Sequence, residues 1–207
     1  MLATYFNNVT YNYDEKPILE NFNVSIEMGK HVIIKGKNGS GKSTFAKLAA
    51  GLIEPTSGDI EIFGENTKTS ADKIRCQTGI VLQDFEMQIF HSVVEDDIAF
   101  GPENLKYSAA EIKKTVAWAA NICHIEHLLE QEIFSLSGGQ KQMVAFAGAI
   151  ATQPRLLILD EASSHLDKKF TEIFYTVLKE LKRNGTTIIE INHLDTNSKF
   201  VDEIIYL

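Results

Sequence analysis

Cysteine, basic charge and long apolar runs are all scarce in this sequence. Cys76 and Cys123 are its only cysteines, too few for a disulfide framework, which points to a reducing compartment. The longest apolar stretch, Met143 to Ala151, has nine residues, about half of the roughly 20 that cross a bilayer as a helix. The chain is therefore not expected to span a membrane by itself. Met1 to Phe6 lacks the basic and apolar regions of a secretion signal, so a cytoplasmic protein is expected. Lysine plus arginine number 20 against 28 aspartate plus glutamate, a net charge of −8, and no five like charges are consecutive. Nucleic acid is disfavoured as a partner, because binding it needs basic surface to displace counterions from phosphates. Anionic lipid would repel such a surface too, so any membrane association is expected to run through a protein partner. His124 and His127 have a metal-ligand spacing on an expected helix, but no second cluster accompanies them, and they are read as ordinary helix-face residues.

What is present is an alternation of strand and helix patterns. Short apolar or alternating runs predict strands at Ala3 to Val9, Ile18 to Ile26 and His31 to Lys35, the first two forming an antiparallel hairpin turned at Asp14 to Pro17. Helical spacing follows from Lys42 to Leu52, then strands at Asp59 to Phe63 and Thr78 to Leu82. Ser108 and Glu111 form a capping box that opens a helix through Asn121, and a second helix is expected from Ser137 to Ala151. Leu156 to Leu159 reads as a strand covered on both faces. Lys168 to Arg183 is amphipathic and stops at Asn184-Gly185, with strands Thr187 to Ile191 and Glu203 to Leu207 completing the pattern. The expected fold is α/β, a mostly parallel sheet with an N-terminal antiparallel part and a helical insert.

Gly36-Lys37-Asn38-Gly39-Ser40-Gly41-Lys42-Ser43-Thr44 lies between a predicted strand and a predicted helix, the setting of a phosphate-binding loop. Its glycines let successive amides face phosphate oxygens at a helix N-terminus. Lys42 is placed to reach the β and γ phosphates and Ser43 to hold Mg²⁺. The apolar strand ending in Asp160-Glu161 offers one carboxylate to the magnesium shell and another to polarise an attacking water. Leu136-Ser137-Gly138-Gly139-Gln140 places a hydroxyl and unobstructed amides at another helix start, a second anion site.

That last pentapeptide resembles the signature of ABC ATPases, and the surrounding chain is similar to that family over Ala3 to Leu207. The resemblance implies a RecA-like P-loop NTPase fold forming one domain over residues 1–207. Its nucleotide-binding core would be residues 1–83 with 154–207, and its helical subdomain 84–153. It also implies roles for residues whose spacing alone says little. Gln83 would touch Mg²⁺ and the attacking water, His193 the γ phosphate, and Tyr13, with Tyr11 as the alternative, would stack on adenine. Asp167 would bridge two protomers, and Ser137 to Gln140 would contact the ATP held by the partner's phosphate loop. Gln83 to Phe90 and Val94 to Asn104 are similar to ATPases of energy-coupling factor (ECF) transporters of vitamins and metals. There, Phe85, Met87, Ile89 and Phe90 would either line a groove for a helix of the membrane subunit or form the core of the helical subdomain. Met143 and His165 depart from the usual arginine and small or apolar residue, and family members usually continue beyond the last strand. The expected function is thus an ATPase subunit, using ATP and Mg²⁺, on the cytoplasmic face of the membrane. Its partners would be a second ATPase subunit, identical or paralogous, and an integral membrane subunit. Competing expectations are a soluble ABC ATPase, a P-loop kinase or switch, and a catalytically silent subunit.

Overall fold

The first strand buries Phe6 and Val9 in one apolar cluster, an irregularity in its pairing between them, with Asn8 at φ 49°, interrupting the strict two-residue alternation. The computed structural model describes residues 1–14, 16–192 and 200–207. Its elements run β1 (Leu2–Tyr13), β2 (Lys16–Glu27), β3 (His31–Lys35), α1 (Lys42–Ala49), β4 (Ser57–Ile62), β5 (Glu65–Asn66), α2 (Thr67–Arg75), β6 (Thr78–Val81), α3 (Val94–Asn104), α4 (Ala109–Ile122), α5 (Gly138–Ala151), β7 (Leu156–Asp160), α6 (Lys168–Arg183), β8 (Thr187–Ile191) and β9 (Glu203–Tyr206). They form two compact units, residues 1–80, 155–160 and 182–207 in the first and residues 81–154 and 161–181 in the second.

In the first unit β1 pairs antiparallel with β2 and β4, giving a sheet of order β2-β1-β4-β5. A second sheet has the order β6-β7-β8-β3-β9, with the pairs β7–β8, β3–β8 and β3–β9 parallel. Every residue of β7 and β8 is buried, as expected of strands covered on both faces. Helix α1 touches β4 of one sheet and β7 and β8 of the other. Phe45 on α1 stacks on Phe6 with ring centroids 4.9 Å apart, and Phe22 sets its edge against both rings. Packing these rings together is worth several kcal/mol and ties α1 to the β1–β2 pair.

In the second unit α3, α4 and α5 pack against one another, and Phe146 of α5 meets Phe174 of α6 at 4.6 Å. The capping boxes of Ser108 with Glu111 and of Ser137 with Gln140 are both formed. Residues 161–181, counted with the core on the sequence, fall in this unit, Phe174 being the aromatic that carries the packing. Two helices carry no sequence expectation. Helix α2 is polar, with only Thr67 and Ile74 buried and an irregular Ser70, while α3 lacks a polar cap and contains Pro102 after Gly101. His124 lies beyond the end of α4 at φ 57°, so it does not share a helix with His127. Among the described residues no helix is long and apolar enough to cross a membrane.

Candidate functional site

β3 ends at Lys35 and the chain turns through Gly36 to Gly41 into α1. Gly41, at φ 95°, is the N-cap and gives the helix no side-chain cap, so the first-turn amides are left to an outside acceptor. The loop is tight: a Cβ on Gly36 would come within 2.5 Å of Ser40 Oγ and 2.7 Å of the Leu207 carbonyl oxygen. Lys42 is buried and donates to the carbonyls of Gly36 at 3.1 Å and Lys37 at 3.0 Å. Its ammonium is therefore held over the loop by neutral acceptors. A buried cation beside an uncapped helix start favours an anion. Thr44 is buried, Ser40 and Ser43 are half-buried, and Asn38 and Gly39 form the exposed tip. Ser40 Oγ is buried without a hydrogen-bond partner among the described residues, a second polar group that a bound phosphate would satisfy. At the end of β1, Tyr13 is 47% exposed, with Tyr11 edge-on at 5.1 Å, a surface on which a planar base can stack.

β7 delivers Asp160, 2% exposed, in register with Ile191 of β8, which is level with Ile34 of β3. Gly36 is two residues beyond Ile34, so the carboxylate and the glycine loop leave the same carboxyl edge of the sheet, where open α/β sheets bind ligands. Among the described residues no group of three His, Cys, Asp or Glu side chains could hold a metal alone. The oxygens of Ser43 and Asp160 suit Mg²⁺, a hard cation that commonly completes its shell with phosphate and water.

In the second unit Glu161 adopts φ 53° immediately after β7, a left-handed conformation that costs of order 1 kcal/mol or more for a residue with a Cβ. Its Oε2 accepts a hydrogen bond of 3.2 Å from Gln83 Nε2, so two sequence-expected residues 78 positions apart meet. At α5, the Ser137 hydroxyl accepts from the Gln140 amide at 3.3 Å, while Gln140 Oε1 accepts from the Ser137 amide at 2.9 Å. The two glycines between them differ. A Cβ on Gly139 would lie 3.3 Å from the His165 carbonyl oxygen, whereas one on Gly138 would meet no atom within 4 Å. Asp167 accepts from the Phe170 amide at 2.8 Å and so caps the start of α6. His165 donates its amide to Gln142 Oε1 at 3.2 Å and sets its ring against Phe85. His193 lies outside the described residues.

The ABC transporter family model matches residues 19–164. The energy-coupling factor transporter ATP-binding protein EcfA1 of Mycoplasma pneumoniae is 39% identical over 192 residues, 92% of this chain and 70% of that protein. This chain belongs to the ABC transporter family. The EcfA1 protein of Halalkalibacterium halodurans is 40% identical over 190 residues, 90% of this chain and 68% of that one. Among solved structures, the ATP-binding cassette MJ0796, a post-hydrolysis dimer bound to ADP and Pi, superposes with a TM-score of 0.88 at 29% identity, covering 99% of this chain and 94% of that one. The cbiO1 subunit of the cbiONQ ABC transporter complex of Clostridium perfringens gives 0.86 at 34% identity, covering 99% and 84%.

The expected α/β cassette fold and ATPase activity are thus borne out, and this ABC ATPase binds and hydrolyses ATP. The sequence reading missed part of its second unit. Asp97, 7% exposed on α3, accepts from the amides of Phe90 at 2.8 Å and His91 at 3.0 Å. It thereby seats one wall of a groove of about 580 Å³ floored by Ile89 and Ile133 and rimmed by Phe90, Phe134 and the Lys141–Glu86 ion pair. An acidic residue in a helix's first turn normally signals only the helix dipole, so nothing in the sequence distinguishes Asp97 from Glu95 and Asp96. Of the four apolar residues left open above, Phe85 is buried, while Met87 is 77% and Phe90 64% exposed.

Proposed function

We propose that this ABC ATPase powers an ECF-type importer of a vitamin or a metal ion, working as one of two ATPase subunits on the cytoplasmic face of the membrane against an integral membrane subunit. The observation that carries the chemistry is the buried Lys42 ammonium inside an uncapped glycine loop, on the same sheet edge as Asp160. Lys42 and the first-turn amides would bind the β and γ phosphates, and Tyr13 the adenine. Ser43, Asp160 and Gln83 would hold Mg²⁺, which shields phosphate charge when bound. Glu161, oriented by Gln83, would accept the proton of the attacking water, and His193 would stabilise the γ phosphate.

The open side of Gly138 supports a partner cassette. Among the described residues no atom lies within 4 Å of a Cβ on Gly138, which leaves room for a phosphate approaching this helix start from another subunit. Gly138→Asp is expected to leave the thermal midpoint unchanged or slightly raised, because an acid in the first turn favours the helix. ATP-dependent assembly, followed by size-exclusion chromatography, should be lost.

The Phe90–Phe134 groove supports the membrane partner. Phe134 is 83% exposed, and its apolar rim has the character of a seat for an amphipathic helix. Asp97→Ala leaves two amides without their charged acceptor and should cost about 2 kcal/mol. It should also weaken recovery of the membrane subunit in a pull-down, while ATP affinity stays within about twofold.

The overall reading is tested by tagging the chain, solubilising native membranes mildly and identifying what co-purifies. A polytopic subunit with a second cassette supports an importer and tells homomer from heteromer. Recovery from the soluble fraction alone would overturn the importer and favour a soluble ABC ATPase.

A further inference from the structure

β8 carries a buried acid that the chemistry above does not use. Glu190 is 2% exposed in an otherwise apolar stretch from Ile188 to Ile191. Its Oε2 lies 2.9 Å from Nε2 of His31, a fully buried residue at the start of β3, and its Oε1 accepts a 2.9 Å hydrogen bond from Asn192 Nδ2. Buried polar side chains persist where such partners are in place, and the three form one polar unit running from β3 to the end of β8.

The sheet places that unit where it matters. β8 lies between β7 and β3, and Ile191 pairs with both Asp160 and Ile34. Asn192, 6% exposed, follows Ile191 at the edge from which Asp160 and the phosphate loop emerge, and His193 is the next residue in the chain. A hydrophobic side chain at position 190 would fill the same space without the desolvation penalty. What the carboxylate adds is orientation, because an acceptor anchored by His31 selects one rotamer of Asn192.

We propose that Glu190 is a positioning residue for ATP hydrolysis, holding Asn192 in one orientation beside the strand of Asp160 and at the threshold of His193; this rests on the reading of Lys42, Asp160 and His193 as the hydrolytic site. Glu190→Ala, Glu190→Gln and Asn192→Ala, with Lys42→Ala as control, are compared in the full chain within the complex that co-purifies with it. Glu190→Ala and Asn192→Ala should lower kcat about 10- to 100-fold, the scale of a small misplacement remote from the reacting atoms. ATP affinity should stay within about twofold, the split expected when only transition-state contacts suffer. Glu190→Gln should recover most of the rate, since its amide oxygen still accepts from Asn192 and its amide nitrogen can donate to the other tautomer of His31. Asn192→Ala leaves the His31–Glu190 pair in place, so it decides the matter even if Glu190→Ala fails to fold. An unaltered kcat in Asn192→Ala, parallel loss of kcat and ATP binding, or no rescue by glutamine overturns the proposal. Full hydrolysis by Lys42→Ala would instead overturn the site reading beneath it; an inactive Lys42→Ala beside a fully active Asn192→Ala would remove the positioning role alone.

Discussion

Replacing Glu161 by glutamine is expected to lower kcat by about 10² to 10⁴, the usual contribution of a general base, while ATP still binds with affinity within about threefold. The substitution is nearly isosteric. A glutamine side chain there would leave the backbone at φ 53° and still accept from Gln83 Nε2, so geometry is retained and only the proton acceptor is lost. With binding intact and hydrolysis slow, ATP-bound assemblies should persist, and size-exclusion chromatography with Mg·ATP should show a long-lived larger species. Single-turnover hydrolysis at the unaltered rate in the reconstituted complex would assign the base elsewhere.

Lys42→Ala should strike one step earlier. Its ammonium rests on two loop carbonyls at 3.0 and 3.1 Å, and ATP would exchange these neutral acceptors for charged phosphate oxygens. Exchanging neutral for charged acceptors in this way is worth about 1.5–3 kcal/mol in all, so ATP affinity should fall about 10- to 140-fold. Thermal unfolding reads this directly. At ATP 100-fold above the wild-type Kd, ligand stabilisation is about 2.7 kcal/mol, and a 100-fold weaker variant retains only about 0.4 kcal/mol. The apo protein should lose little, because two neutral-acceptor hydrogen bonds and a buried charge leave together. A wild-type ATP-induced shift in Lys42→Ala would mean that phosphate binding does not run through this loop.

These two experiments probe residues of different legibility. Lys42 could be read from sequence because the physics of its motif is local: a glycine turn, a helix start and a cation within seven residues, Gly36 to Lys42. The capping box at Ser108, the helix start at Ser137 and the apolar strand from Leu156 were legible for the same reason, each being a short-range pattern. Glu161 is intermediate. Its neighbour Asp160 ends an apolar run visible in sequence, but its left-handed backbone and its bond to Gln83 require two segments 78 residues apart to meet.

Helix α3 shows where local signals mislead. Val93 offers no cap and Gly101-Pro102 reads as a breaker, yet the helix forms because Val94 and Ile98 are buried against its neighbours and Asp97 ties it to Phe90 and His91. Burial of those apolar side chains outweighs the propensity cost of about 1 kcal/mol at glycine and the bond to the Ile98 carbonyl that Pro102 has no N–H to make.

Sequence by itself determined the alternation of strands and helices, the glycine turn from Gly36 to Gly41, the helix start at Ser137 and the acidic end of β7, because hydrophobic period, caps and glycine spacing act over a few residues. Tertiary structure alone decided that Ile34, Ile191 and Asp160 share one level of the sheet, that Gln83 meets Glu161, that Gly138 faces open space while Gly139 does not, and that His31, Glu190 and Asn192 join into a buried polar unit. Those relations are set by strand order, register and close packing between segments distant in the chain, and the residues that hold them carry no local pattern of their own.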